Sequence, residues 1–255
     1  MAGAQWPNLV LAGFGASDPL QFTVAAQQAA VRIGRVLALG LPGRLKALLE
    51  RQGVEVTDLA HLFTDRTFAE AYAAIAQAVL VRAEHDPPAM FISQGNPLLL
   101  NAVNRYLVVE AGRRGLTHRV LPGVSAIDAV VSELGVDVGR AGLQTLSARG
   151  LAARPAALNP RVPLLVLQLA GLADGNGPAA AYGPLVEALK GGYPDSQAIT
   201  LLNMPGDGRV VRATVTLGRF GEFIPHIDAS SSLFVDVARA KLAARPEEGE
   251  RHVPA

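Results

Sequence analysis

The chain contains no cysteine. Disulfides, thiolate metal sites and cysteine nucleophiles are therefore excluded. Charge of one sign is also lacking, because 23 Lys and Arg face 22 Asp and Glu, for a formal net charge of +1. A protein that holds nucleic acid by bulk electrostatics is more basic than this. Long apolar runs are missing too. Leu9–Gly13 is apolar for five residues only, far short of a membrane span. The N-terminus lacks a basic head followed by an apolar stretch. The expected address is cytoplasmic, with no nucleic-acid partner and no membrane partner. The histidines, His61, His85, His118, His226 and His252, show no metal-ligand spacing and no HExxH pattern, so no metal is expected.

What is present is apolar. Half of the 255 residues are hydrophobic and 18% are charged, which excludes a disordered or collagen-like chain. The length fits one large domain or two small ones.

Apolar runs alternate with helical stretches. Strands are predicted at Leu9–Gly13, Val36–Gly40, Ala89–Ser93 and Arg119–Leu121. Helices are predicted from a Thr23 cap to Gly34, from Pro42 to Gly53, over Thr67–Glu84, over Leu98–Gly112 and from Ser125 to Gly135. This order implies a mostly parallel sheet with helices on its faces. Beyond Val136 the pattern changes. Strands at Leu164–Gln168, Ala198–Asn203, Val210–Thr216 and Leu233–Val237 outnumber the one helix near Pro184–Gly191, so a mixed or antiparallel sheet is expected. The fold class is α/β in two domains, with boundaries placed at 1–121, 122–240 and a disordered tail at 241–255.

Three tight loops each follow a predicted strand. They are Gly13–Pro19, Gly95–Pro97 and Pro122–Ala126. Gly13-x-Gly15 begins a dinucleotide fingerprint, but its third glycine position is Asp18, whose carboxylate opposes a pyrophosphate. No Walker lysine follows any of the loops. Gly123-x-Ser125 is half of a nucleophile elbow, but Ile127 stands where the closing glycine is required. Ligands of open parallel sheets bind outside the carboxyl ends of the strands. The polar groups of these loops are amides, carbonyls and a small hydroxyl, with no Arg or Lys cluster. That chemistry suits a zwitterionic ligand with an adenosine portion.

These loops resemble the tetrapyrrole methylase superfamily, whose members bind S-adenosylmethionine between two α/β domains and release S-adenosylhomocysteine. Gly13, Gly15, Asp18 and Pro19 match its first loop, Gly95–Asn96–Pro97 its second, and Pro122–Ala126 with Leu134–Gly135 its third. Within the superfamily, Val136–Gln144 followed by Ala148, the helix Arg66–Tyr72, Gln168 and Ser230–Leu233 are similar to borosin peptide backbone N-methyltransferases. The chain departs from that pattern at Gln94, Asn96 and Phe68.

The resemblance implies an S-adenosylmethionine-dependent methyltransferase acting on backbone amides of a precursor peptide, with a homodimer as the expected assembly. The residues after Val237 are unlike an apolar core peptide, so the peptide is expected in trans. It implies cofactor contacts at Gly13, Gly15, Gln94, Gly95, Asn96, Pro97 and Leu99, and further on at Ser125, Ala126, Gln168, Asn203 and Ser232. Arg66 and Tyr72 are the implied catalytic pair, Arg66 for imidate charge and Tyr72 for a hydrogen bond or proton relay. Six helical positions between them subtend roughly 240° net, so Arg66 must sit at the helix entrance to reach Tyr72's face. Asp128 and Glu133 read as solvated or capping charges. A bulky side chain at Gly123 is expected to occupy space the ligand needs. Two alternatives stay open: C-methylation of a tetrapyrrole, and a subunit that binds the cofactor without transferring a methyl group.

Overall fold

The computed structural model describes residues 6–64, 67–155, 158–173 and 178–237. The chain divides into two compact units, Met1–Gly135 with Met204–Val210, and Val136–Asn203 with Val211–Ala255.

The first unit follows the expected alternation. Its elements are β1 (Leu9–Gly13), α1 (Val24–Ile33), β2 (Arg35–Ala38), α2 (Gly43–Arg51), β3 (Glu55–Asp58), α3 (Phe68–His85), β4 (Ala89–Ser93), α4 (Ala102–Arg113), β5 (His118–Leu121) and α5 (Ala126–Leu134). The five strands run in the order β3-β2-β4-β1-β5, with all pairings parallel. Each of β1 and β4 is buried along its whole length, which is why both read as unbroken apolar runs. Ala26, Ala29 and Ala30 of α1 and Leu45 and Leu49 of α2 pack on Val10, Ala12 and Ile92. Ile75, Val79 and Leu80 of α3 and Val103 and Leu107 of α4 pack on Leu9, Leu11 and Phe91 on the other face. Right-handed crossovers demand this segregation, because the chain moves one way across the sheet from β1 to β3 and the other way from β3 to β5.

The helix starts follow local chemistry. Thr23, Thr67, Asn101 and Ser125 each accept a backbone N–H of their helix's first turn. Gly34 and Gly135 close α1 and α5 in the left-handed conformation.

Several expectations need correction. Pro42 is the N-cap of α2 rather than its first helical residue. Helix α4 begins at Ala102, not Leu98, because Leu100 adopts φ 51 and Asn101 caps the helix. Strand β3 reads as Glu-Val-Thr-Asp with alternate exposure, an edge strand without an apolar run. Helix α5 groups with the first compact unit, whose first stretch ends at Gly135. The segment 241–255 lies outside the described residues.

The second unit contains α6 (Val138–Ala141), β6 (Gln144–Ser147), α7 (Ala148–Ala153), β7 (Leu164–Leu167), α8 (Pro178–Lys190), β8 (Ala198–Asn203), β9 (Val211–Thr216) and β10 (Ser231–Val235). Its five-stranded sheet runs β6-β7-β10-β8-β9. Among the described residues β6 and β7 pair in parallel, and the other pairings are antiparallel. Its core places Leu151 of α7 and Leu185 and Leu189 of α8 against Leu164, Val166, Leu201 and Leu233. Among the described residues no helix is long and apolar enough to cross a membrane.

Candidate active site

Neighbouring strands β1 and β4 hand the chain to opposite faces of the first sheet, through α1 and α4. Such a switch point opens a crevice at the carboxyl ends of the strands. All three glycine loops start there.

The loops are stitched together by backbone. Phe14 N–H donates to Ser93 O at 3.0 Å and Gly95 N–H to Gly15 O at 2.9 Å. Gly15 and Gly95 form an isolated antiparallel bridge across the crevice. Side-chain amides complete the seam. Gln94 Nε2 donates to Ala16 O at 3.1 Å, and Asn96 Nδ2 reaches Gly123 O at 3.5 Å. Contact is so close that side chains do not fit. An ideal Cβ at Gly13 overlaps the Gly95 carbonyl oxygen, and one at Gly123 comes within 2.5 Å of the same oxygen and 2.8 Å of Gly13 Cα. A side chain at Gly123 would meet the other two loops directly.

The first loop has its own hub. The short helical turn Pro19–Gln21 is capped by Asp18 in a box with Gln21. Gln21 Oε1 accepts from the N–H groups of Ala16, Ser17 and Asp18 at 2.9, 2.9 and 3.3 Å. Three donors that a phosphate would need are thus already taken. Gln21 escaped the reading of the sequence, although the spacing Asp18-Pro19-Leu20-Gln21 carries the capping-box signal. The segment Met204–Val210 groups with this unit, and Gly208 N–H donates to Ser17 O at 2.9 Å.

The second loop turns on Asn96, whose Oδ1 accepts from Leu98 N–H at 3.0 Å and whose O accepts from Leu99 N–H at 3.2 Å. Pro97 is buried and Leu99 half-buried. Beneath it, Ser93 Oγ accepts from Asn101 Nδ2 and Asn104 Nδ2 at 3.0 and 2.9 Å. In the third loop, Ser125 N–H and Oγ–H both donate to Asp128 Oδ2, at 2.8 and 2.6 Å. Those bonds hold the Asp128 carboxyl below the ordinary aspartate range. Asp128 is thus a capping charge. Ala126 opens α5, where first-turn amides have no intrahelical acceptor.

Helix α3 carries Tyr72 near its N-terminus. Three residues separate His85 from β4, which anchors the helix's C-terminus at the amino edge of the sheet. Thirteen positions separate Tyr72 from His85, or ~20 Å of axial rise, against ~17 Å for a five-residue strand. Tyr72 thus lies in the N-terminal part of α3, the half of the helix remote from its connection to β4, and packs on the face that carries Leu9, Leu11 and Phe91. It is half-buried and packs edge-on against Phe63 at 5.8 Å between ring centroids. Arg66 lies outside the described residues. The described helix begins at Phe68 behind the Thr67 cap, where Glu70 Oε2 accepts from Thr67 N–H and Oγ–H, each at 2.8 Å.

The remaining candidates belong to the second unit and share one edge of its sheet. Gln168 follows the end of β7 in the left-handed conformation, φ 61, and is exposed. Asn203 ends β8 opposite Ser231, the first residue of β10. Its side chain is engaged at both atoms, with Nδ2 donating to His226 O at 2.7 Å and Oδ1 accepting from Ser231 Oγ at 2.8 Å. Ser232 is buried in β10 opposite Leu202.

Residues 8–187 match the family model described as Tetrapyrrole (Corrin/Porphyrin) Methylases. A methyltransferase/ribosomally synthesized type III borosin cyclic peptide precursor from Anomoporia bombycina is 25% identical over 170 residues, 66% of this chain. The match spans only 20% of that protein's length. Uroporphyrin-III C-methyltransferase from Thermus thermophilus shares the fold, with a TM-score of 0.65 at 18% identity, over 90% of this chain and 91% of that one. The same enzyme complexed with S-adenyl homocysteine gives a TM-score of 0.66 at 20% identity, over 91% of this chain and 99% of that one.

Proposed function

The chain belongs to the tetrapyrrole methylase family and is an S-adenosylmethionine-dependent methyltransferase; from that premise we propose that it methylates backbone amide nitrogens of a peptide. The loops fit the donor. They present neutral amides and carbonyls, they have no room for a side chain at Gly13 or Gly123, and Gln21 already occupies the first loop's inward N–H groups. We assign donor contacts in the first unit to Gly13, Gly15, Gln94–Pro97, Leu99, Ser125 and Ala126. S-Adenosylmethionine supplies an activated methyl group on a sulfonium.

The observation that carries the peptide reading is the position of Tyr72. It lies near the N-terminus of α3 and packs on the sheet face that carries Leu9, Leu11 and Phe91, in a stretch, Arg66–Tyr72, that resembles the borosin active-site helix. The likeness to a borosin precursor supports the same reading. An amide nitrogen is a poor nucleophile because its lone pair is delocalised into the carbonyl. In the reaction proposed, the N–H bond breaks and its proton leaves through Tyr72. The nitrogen forms a bond to the methyl carbon, the sulfur–methyl bond breaks, and its electron pair stays on the thioether. Arg66 stabilises the oxygen charge that builds up during proton removal. The protein's remaining task is to align the two reactants and exclude water.

The test is transfer of an isotopically labelled methyl group, with a synthetic apolar peptide and a uroporphyrinogen offered in parallel. Peptide mass rising by one methylene per transfer, with fragmentation locating it on backbone nitrogen, is the expected result. Carbon methylation of the macrocycle alone, or transfer to neither acceptor, overturns the reading.

A further inference from the structure

Every carbonyl from Gly15 to Asp18 has an acceptor role, and Gln21 holds the N–H groups of Ala16, Ser17 and Asp18. Gly15 O accepts from Gly95 N–H, Ser17 O from Gly208 N–H and Asp18 O from Gln21 N–H, while Ala16 O accepts from Gln94 Nε2. The carbonyls of Gly15, Ala16 and Ser17 thus face neighbouring segments, while that of Asp18 closes its own turn. The N–H groups of Ala16, Ser17 and Asp18 instead converge on Gln21 Oε1, and Gln21 Nε2 donates to Ser17 Oγ at 2.7 Å. Successive amides aimed at one point form a concave nest that ordinarily receives an anion. Here a neutral oxygen of the same chain fills it. Gly15 sits against this side chain at φ +98, where an ideal Cβ overlaps Gln21 Cβ.

We propose that Gln21 is a positioning residue for the donor site. It fixes the curvature of Gly13–Asp18 and, through the Gly15–Gly95 and Ala16–Gln94 bonds, the place of the second loop. The inference rests on the reading of these loops as the donor site. Removing the acceptor leaves three N–H groups without their partner, and each such loss is costly where water cannot enter freely.

The test compares wild type, Gln21→Met and Gln21→Glu by calorimetric titration with S-adenosylhomocysteine and by hydrogen exchange of the Ala16 and Ser17 amides. Methionine keeps the length of the side chain and removes the acceptor. Glutamate keeps the acceptor, and its second oxygen takes a hydrogen bond from the Ser17 hydroxyl. The expected result is a Kd raised at least about tenfold in Gln21→Met, which is 1.4 kcal/mol, with faster exchange at both amides. Gln21→Glu should bind within about twofold of wild type and keep the slow exchange.

Equal affinity in wild type and Gln21→Met overturns the role of Gln21 while leaving the loops as the site. A wild type that does not bind at all overturns the donor-site reading itself. Should Gln21→Met not fold, Gln21→Glu decides alone, and weakened binding in that variant overturns the proposal.

Discussion

The Gly95 carbonyl oxygen occupies the place where a side chain on Gly13 would begin. The carboxyl ends of β1 and β4 are in backbone-to-backbone contact, and Gly123 of the third loop closes on the same oxygen. Three separate stretches of chain are fitted to one point, so their glycines answer to each other before they answer to a ligand.

Gly13→Ala and Gly123→Ala should each destabilise the fold by about 2 kcal/mol, the scale of a side chain forced into filled space. Gly112→Ala is the control. That glycine lies in α4 with open space around its Cβ position, and alanine there should stabilise by up to about 1 kcal/mol. Urea unfolding of the three variants measures this. Equal small effects at all three positions would contradict the close fit of the loops.

Tyr72→Phe should keep the edge-on packing against Phe63, since that contact uses the ring alone. Loss of the hydroxyl should lower methyl transfer about a hundredfold, a usual scale for a removed proton-transfer group. Arg66→Ala should abolish transfer and leave S-adenosylhomocysteine affinity nearly intact. Full activity in Tyr72→Phe would take Tyr72 out of the chemistry.

Thr67→Ala removes the cap of α3 immediately before the turn that bears Tyr72. The expected cost is about 1 kcal/mol, read by urea unfolding. Thr67→Ser should restore it, because serine supplies the same acceptor oxygen.

Asp128 sets a pH dependence. Hydrogen bonds from the Ser125 hydroxyl and N–H hold its folded pKa below the ordinary aspartate value. A depressed carboxylate contributes stability that is present above the unfolded pKa, about 3.9, and lost as pH falls through the lower folded value. The side chain is exposed, so screening keeps the effect small. Asp128→Asn should therefore destabilise α5 at neutral pH and approach wild type below about pH 4. A gap between the two proteins that widens in acid would contradict the assignment.

Much of the first unit is legible because burial and capping leave marks in the sequence. Strands β1 and β4 are buried on both faces and read as apolar runs. Thr23, Thr67 and Ser125 announce their helices. Strand β3 is exposed on alternate residues and β6 is only half-buried throughout, so neither stands out. The grouping of Met204–Val210 with the first unit joins residues distant in sequence, which no local pattern encodes. The loops themselves are legible as glycine motifs. Their mutual contact is not, because it depends on β1 and β4 being neighbours. Gln21 shows how a site residue hides, since its value lies in the backbone it gathers rather than in a reactive group.

The most direct measurement is a crystal structure of the protein grown with S-adenosylhomocysteine. The account predicts density for the ligand against Gly13–Gly15, Gln94–Pro97 and Ser125–Ala126, with Gln21 still bonded to the three loop amides. Ligand bound away from these loops would contradict it.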